Sequence, residues 1–270
     1  MPVMTNRTNI SSAKIFWAAL FLVVIGLILC FKFNGHIQPV KEPGSKTSSQ
    51  YWSNALNYKV NGDYSQAIWE FRKYLEAGGD NVDVYQQLSE LYAKTSQLNL
   101  ALESAQEFLK RSPKPAQAYF QLGIIYSLLG QKEKAMESYE KSIEHDPSFA
   151  ESYFNLGYIY ESDNQFTKAI DNYKKTIQLN DKHAKAYYNL GNIYAGLENF
   201  NESIAMYKKA IQFDPNYMDA YVNISILMTK NGNFKEALTN LDEARMLGYQ
   251  APSEFVNTLE IYREAKKAEK

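Results

Sequence analysis

One short pattern recurs along the chain at a fixed interval of 34 residues, and this period limits the fold more than any other feature. In each copy one small residue, alanine or serine, is flanked by polar and apolar residues, as in Phe166-Thr-Lys-Ala169-Ile. Six copies in one phase predict a repeat protein, in which each copy stacks on its neighbours and buries one continuous core. We call the small residues anchors; they are Ala67, Ala101, Ala135, Ala169, Ser203 and Ala237.

Tyrosine follows the same phase. A tyrosine stands 16 residues before every anchor, another stands nine residues before five of the anchors, and three more stand four residues after an anchor. These columns contain 14 of the 21 tyrosines. The excess of tyrosine therefore indicates architecture rather than stacking on nucleic acid. The first column consists of Tyr51, Tyr85, Tyr119, Tyr153, Tyr187 and Tyr221.

The spacing within one repeat predicts two helices. In the third repeat an aromatic residue, a Leu-Gly pair and a second tyrosine stand at i, i+3, i+4 and i+7, from Tyr119 to Tyr126. This spacing places them on one face of a helix. The anchor and the residue four positions later share one face of a second helix in the same way. Turn residues such as Gly130-Gln131 separate the two helices.

The order of an aromatic residue, Leu-Gly, tyrosine, alanine, an aromatic residue and proline resembles the tetratricopeptide repeat (TPR). The resemblance covers about residues 48–250, and the third to fifth repeats are the most typical. It implies an all-α, right-handed superhelical solenoid of six helix-turn-helix repeats, whose first helices line a concave groove. The predicted repeats within 48–251 are 48–81, 82–115, 116–149, 150–183, 184–217 and 218–251.

Residues 252–270 continue beyond the sixth repeat. Phe255, Leu259 and Tyr262 have the spacing of a first helix, but no second helix follows. A solenoid needs an element that covers its last apolar face. We therefore predict a C-terminal capping helix that ends in a solvated polar tail.

An apolar stretch without charges occupies residues 15–31, between Lys14 and Lys32. As a helix it would span about 26 Å, close to the roughly 30 Å of a hydrocarbon core. We predict one transmembrane helix here, preceded by a short flank at 1–14. A cleaved signal peptide and a lipidated Cys30 are the alternatives.

The residues that flank this stretch are used to predict its orientation in the membrane. Basic residues are balanced on its two sides, so the positive-inside rule alone does not fix the orientation. Short uncleaved N-terminal spans usually keep their N-terminus in the cytoplasm, so we expect an extracytoplasmic repeat body, periplasmic if the source is bacterial. A cytosol-facing body is the alternative. Residues 32–47 lack apolar periodicity and contain two prolines and two glycines, which predicts a flexible linker.

Composition and motifs argue against catalysis. The 29 basic and 30 acidic side chains give no electrostatic signal for a nucleic-acid partner, and one cysteine cannot form a disulfide framework. His36, His145 and His183 lack the spacing of metal ligands, and no phosphate-binding loop or nucleophile motif occurs. We expect no enzymatic activity, no cofactor and no metal.

Three columns of the first helices face away from the packing stripe: the residues one, two and five positions after the first-column tyrosine. They combine aromatic and carboxamide side chains, whereas a merely solvated face carries lysine and glutamate. Carboxamides can hold the backbone of an extended peptide, and aromatic side chains supply pockets. The alternative is that these side chains cap neighbouring helices or pack between adjacent first helices. The candidate peptide-binding residues are Phe120, Gln121, Phe154, Asn155, Tyr158, Tyr188, Asn189, Asn192 and Asn223.

These features predict a membrane-anchored adaptor that binds a peptide or protein partner in the TPR groove and supports assembly of an envelope or membrane complex. The alternative is a structural scaffold that self-associates into a homo-oligomer and organises a membrane surface.

Overall fold

The computed structural model describes residues 46–253, 255–257, 259 and 261. Within these residues every regular element is helical and there is no strand. Twelve helices follow one another as six antiparallel pairs. The first helices of the pairs are α1 Ser48–Val60, α3 Asp83–Lys94, α5 Pro115–Leu128, α7 Ala150–Ser162, α9 Ala184–Gly196 and α11 Met218–Lys230. The second helices are α2 Tyr64–Glu76, α4 Leu98–Arg111, α6 Lys132–His145, α8 Phe166–Leu179, α10 Phe200–Phe213 and α12 Phe234–Met246.

The prediction of an all-α solenoid is confirmed for this part of the chain. Each first helix packs most extensively on the second helix of its own pair, and each second helix also contacts the first helix of the next pair. The predicted flank at 1–14 and transmembrane helix at 15–31 lie outside the described residues, as does most of the linker at 32–47. No helix among the described residues is long and apolar enough to cross a membrane.

The turn inside each pair has one backbone conformation, which recurs with the sequence period. The second residue after the first helix has a positive φ of 58–80° in all six pairs. Glycine adopts this left-handed conformation without a steric penalty, and asparagine tolerates it. The six residues are Gly62, Ser96, Gly130, Asn164, Glu198 and Gly232.

The Leu-Gly pair permits close approach of the two helices in a repeat. A Cβ atom added to Gly157 would lie 2.8 Å from the ring of Tyr173, and one added to Gly123 would lie 2.5 Å from Tyr139. A real Cβ does not come this close, so these positions require glycine. The sixth repeat has Ser225 here, and it accommodates the larger residue because the facing position is Leu241 rather than tyrosine.

The anchors lie at the centre of the core. The five anchor alanines are fully buried, and so is Ser203, whose Oγ donates to the backbone oxygen of Gly191 at 2.8 Å. That hydrogen bond lets a hydroxyl replace alanine without an unpaired buried group.

The end of the described chain is helical where the predicted cap begins. Ser253, Phe255, Val256, Asn257, Leu259 and Ile261 are the helical residues described there. Leu259 is fully buried in one apolar cluster with Leu241 of α12, and Phe255 packs against the same cluster. These residues therefore cover the apolar end of the sixth pair.

Candidate functional site

The first helices line a series of cavities along one side of the solenoid, which we call the groove. One cavity, of about 560 Å³, lies between α5 and α7, and Lys185 of α9 is among its lining residues. It brings together four predicted residues: Phe120, Phe154, Asn155 and Tyr158. A second cavity of about 540 Å³ lies between α3 and α5, and a smaller one of about 250 Å³ lies between α9 and α11.

The other predicted residues are distributed around these cavities. Asn192 and Asn223 line the smallest one, and Gln121 lines the one between α3 and α5. Gln121 is 5% exposed and donates through Nε2 to Ser89 Oγ at 3.3 Å, so it belongs mainly to the packing between two helices. Tyr188 and Asn189 line none of these three cavities.

The aromatic column is half-buried in the seams between successive helical pairs. The ring of Phe154 lies 5.7 Å from that of Tyr173 and 4.7 Å from that of His183. Tyr188 repeats this arrangement with Tyr207 at 5.6 Å and Tyr217 at 4.7 Å. Each groove aromatic thus has one face packed against its own helical pair and the turn that begins the next pair.

The third partner in each seam defines an aromatic column that the sequence analysis did not identify. It stands four residues before the first-column tyrosine, at the turn that begins a first helix: Phe149, His183 and Tyr217. The signal was present in the sequence as one more period of 34 residues. The middle copy is His183 rather than phenylalanine or tyrosine, so the column was not recognised as aromatic.

The orientation of the Asn189 amide is fixed by its neighbours. The Tyr173 hydroxyl donates its one proton to Glu161 Oε2 at 2.6 Å, so toward Asn189 it can only accept. Asn189 therefore donates through Nδ2 at 3.0 Å, and its amide nitrogen is the end that faces Tyr173. Burial raises the pKa of the Tyr173 hydroxyl, and the adjoining carboxylate adds to the rise.

Asn223 repeats this arrangement one repeat later. The Tyr207 hydroxyl donates to Asn192 Oδ1 at 2.7 Å, and Asn223 Nδ2 donates to Tyr207 at 3.2 Å and to Tyr188 at 3.3 Å. Asn155 occupies the corresponding place, where its hydrogen bond to the Tyr139 hydroxyl opposes the rise in the Tyr139 pKa caused by burial. The three amides are thus part of the fold, and Asn155 and Asn223 also line cavities of the groove.

The column five positions after the first tyrosine is the most accessible of the three. Tyr158 is 61% exposed at the α5–α7 cavity, and Ile226 is 37% exposed at the smallest cavity. Leu128, near the end of α5, adds a side chain that is 53% exposed and that sequence analysis did not select. Exposed apolar side chains at a concave surface are typical of a binding site.

Polar groups border the α5–α7 cavity on one side. His183 caps α9, because its Nδ1 accepts from the backbone N–H of Ala186 at 3.1 Å. Its Nε2 lies 3.4 Å from Glu151 Oε2, and this contact lowers the pKa of the Glu151 carboxyl. Among the described residues no group of three potential metal ligands occurs.

Sequence comparison with family models identifies the repeats. Tetratricopeptide-repeat models match residues 116–149 and 184–217, 138–171 and 206–239, and 158–198. These matches support a protein of the TPR family. They fall on the third to sixth repeats, which contain the predicted site residues. A comparison with curated proteins gave no match.

Several solved structures resemble this chain along most of their own length. The crystal structure of MamA is 28% identical, with a TM-score of 0.51, and the match covers 60% of this chain and 94% of MamA. PilF of Pseudomonas aeruginosa is 18% identical, with a TM-score of 0.61, and the match covers 69% of this chain and 86% of that one. YrrB, a TPR protein with an unusual peptide-binding site, is 21% identical, with a TM-score of 0.51 and coverage of 72% and 97%. The last two comparisons show the fold alone.

Proposed function

We propose that this chain is a protein-interaction scaffold whose groove binds a peptide segment of a partner protein. The observation that carries the proposal is the cavity of about 560 Å³ between α5 and α7, with Tyr158 61% exposed at its wall. A large exposed aromatic side chain in a concave apolar site is typical of an interface anchor. The TPR fold, whose members bind proteins, supports the same function.

The predicted amide row contributes to this proposal in a specific way. Asn189 and Asn223 each use Nδ2 on a buried tyrosine. Among the described residues, no hydrogen bond involves their Oδ1 atoms, and a carbonyl oxygen has two lone pairs. We propose that these oxygens accept from backbone N–H groups of the bound peptide, while the cavities take its side chains.

Photo-crosslinking in cells tests the groove. A photoreactive phenylalanine at Tyr158 should crosslink to a partner protein. The same group at Leu100, which is 40% exposed on the second helix α4, should not. Equal crosslinking from both positions, or crosslinking to a second copy of this chain alone, would count against the groove and favour self-association.

We also propose that residues 15–31 anchor the scaffold in a membrane, with the repeat body outside the cytoplasm. Val23→Arg places a charge at the centre of the apolar stretch, which costs about 2.5–3.5 kcal/mol in membrane insertion. The variant should move from the membrane fraction to the soluble fraction after alkaline extraction. Thr5→Arg, in the preceding flank, is the matched control. An unchanged distribution of the Val23 variant would contradict the anchor.

A further inference from the structure

A carboxyl group stands in the groove at a position where no other repeat has an acidic residue. Glu161 lies eight residues after the first-column tyrosine of its repeat, near the end of α7. At the same position three other first helices have Ala93, Ser127 and Ala195, and each of these lines one of the three groove cavities. This column therefore belongs to the groove surface, and the fourth repeat adds a carboxylate to it.

Hydrogen bonds place Glu161 between α7 and α9. Its Oε2 accepts from the Tyr173 hydroxyl at 2.6 Å, and the same hydroxyl accepts from Asn189 Nδ2 at 3.0 Å. The carboxylate of α7 and the amide of α9 thus meet at one hydroxyl. Tyr158, 61% exposed, stands three residues before Glu161, and side chains at this spacing are neighbours on a helix. A carboxylate and an exposed aromatic ring therefore lie side by side in this part of the groove.

The first repeat shows how a charge at this position is neutralised within the chain. Lys59 occupies the column there, and its Nζ lies 2.7 Å from Glu90 Oε2 on the next first helix, α3. In the fifth repeat the position of Glu90 is taken by Asn192, which carries no charge. Glu161 therefore faces no opposite charge at the place where Lys59 finds one.

No other described residue neutralises this carboxylate. The hydrogen bond from Tyr173 is the only one that Glu161 makes within the described part of the chain, and Glu161 forms no ion pair there. Burial raises the pKa of its carboxyl, and no basic side chain opposes the rise. Lys132, which reaches the end of α7, is bound to Asp163 at 2.8 Å. A half-buried carboxylate without a counter-charge is costly, and a bound cation would offset that cost.

We propose that the peptide segment bound in the groove carries a basic side chain, arginine or lysine, which occupies the part of the groove between α7 and α9. The cationic group donates to the Glu161 oxygen that Tyr173 leaves open, and it lies against the ring of Tyr158. This inference rests on the proposed function and specifies one feature of its ligand.

An array of synthetic peptides, probed with the full-length chain, tests the charge preference. Each spot contains short peptides with one fixed residue among randomised positions. Arginine and lysine should be preferred over glutamate at one position. The selected arginine peptide is then compared with the same peptide carrying citrulline, which has nearly the same shape but no charge. Fluorescence anisotropy should show about tenfold weaker binding of the citrulline peptide at low salt and a smaller difference at high salt.

Variants of the chain test the assignment to Glu161. Glu161→Gln should bind the arginine and citrulline peptides equally. Glu161→Lys introduces the residue that the first repeat has in this column, and the array should then prefer glutamate at the selected position. Glu140→Gln removes a carboxylate from an exposed position of the second helix α6 and should leave the preference for arginine unaltered. Circular dichroism confirms that each variant is folded.

The outcomes separate this inference from the proposed function. If peptides bind without a preference for basic residues and Tyr158→Ser weakens them, the groove binds peptides and the inference is overturned. If Glu161→Gln keeps the preference for arginine over citrulline, the assignment to Glu161 is overturned. If no peptide binds, the inference is also overturned, while crosslinking from Tyr158 still reports on the groove. If peptides bind and Tyr158→Ser changes no affinity, binding occurs elsewhere and both proposals fail.

Discussion

Asn189 illustrates how a residue proposed for the groove also serves the fold. Its Nδ2 holds the Tyr173 hydroxyl, which is itself held against Glu161. Removing the amide would leave a partly buried hydroxyl with one hydrogen bond fewer, at a cost of about 1 kcal/mol. Loss of binding in an Asn189→Ala variant would therefore combine two effects. Tyr158, which is exposed, gives the cleaner test of the groove.

The Glu161 carboxyl makes the stability of this seam depend on pH. Burial raises its pKa above the ordinary 4.5, and the hydrogen bond from Tyr173 only partly opposes this. A carboxyl with a raised pKa binds its proton more tightly in the folded protein than in the unfolded chain. Its contribution to stability is therefore greatest below pH 4.5 and is lost as the pH rises through the raised pKa.

We predict that Glu161→Gln removes this loss. Relative to the wild type, the variant should gain unfolding free energy as the pH is raised from 4 to neutrality, because glutamine stays neutral throughout. Urea unfolding at a series of pH values measures the difference. Glu140→Gln, at an exposed position of α6, is the control. A constant difference between Glu161→Gln and wild type across this range would contradict the prediction.

At the scale of the elements, the contact of glycine with a tyrosine ring determines how closely two helices of a repeat pack. The sixth repeat solves the same problem with a different pair, Ser225 and Leu241, in which the Ser225 hydroxyl donates to the backbone oxygen of Ala237 at 2.8 Å. The two solutions show that the size of one residue depends on the size of the other.

We predict that Gly157→Ala destabilises the protein by about 1–3 kcal/mol, because its Cβ overlaps the Tyr173 ring. Thermal and urea unfolding measure the loss. Gly196→Ala is the matched control, since a Cβ there meets nothing within 4 Å, and it should be neutral or slightly stabilising. Gly157→Ser combined with Tyr173→Leu reproduces the sixth-repeat pair and should lose less than the two single changes added together.

The turns between paired helices carry a second prediction. Glu198 has a φ of 62°, in a position where three other repeats have glycine. A residue that has a Cβ atom costs roughly 1–2 kcal/mol in the left-handed conformation. Glycine avoids this cost, but its larger conformational entropy in the unfolded chain offsets part of the gain. Glu198→Gly should therefore stabilise the protein by about 0.5–1 kcal/mol in urea unfolding. The reverse change, Gly130→Ala at a φ of 70°, should destabilise it by a similar amount.

At the scale of the whole solenoid, stability depends on the covering of the last repeat. Each repeat contacts only its neighbours, so an uncovered end lowers the stability of the terminal pair first. Leu259 is fully buried against the sixth pair, whereas Ile261, two residues later, is 72% exposed. These two residues offer a matched comparison in one helix.

We predict that Leu259→Ala lowers the unfolding free energy by about 2–5 kcal/mol, through lost burial and the cavity that remains. Ile261→Ala should change it by less than about 0.5 kcal/mol, as exposed substitutions usually do. Hydrogen exchange should show the loss of protection concentrated in α11 and α12. Equal effects of the two changes would mean that this helix does not cover the solenoid end.

Much of the fold follows from the sequence because its information is periodic. The 34-residue interval, the two helical faces and the turn residues are local patterns, and six copies in phase make each of them unambiguous. They predicted six helical pairs and, on each first helix, a stripe opposite the packing face that includes Tyr158. Residues 15–31 remain a sequence-based prediction.

The tertiary structure decided which of the nine candidate residues are available to a ligand. Gln121 is buried, and Phe154 and Tyr188 have one face each committed to the seams between repeats. A helical wheel gives direction within one helix, but it does not show how far the neighbouring repeat closes over a side chain. That closure depends on the size of residues in three different elements. For this reason the period identified the groove-facing stripe, and only packing between repeats determined the shape of its cavities.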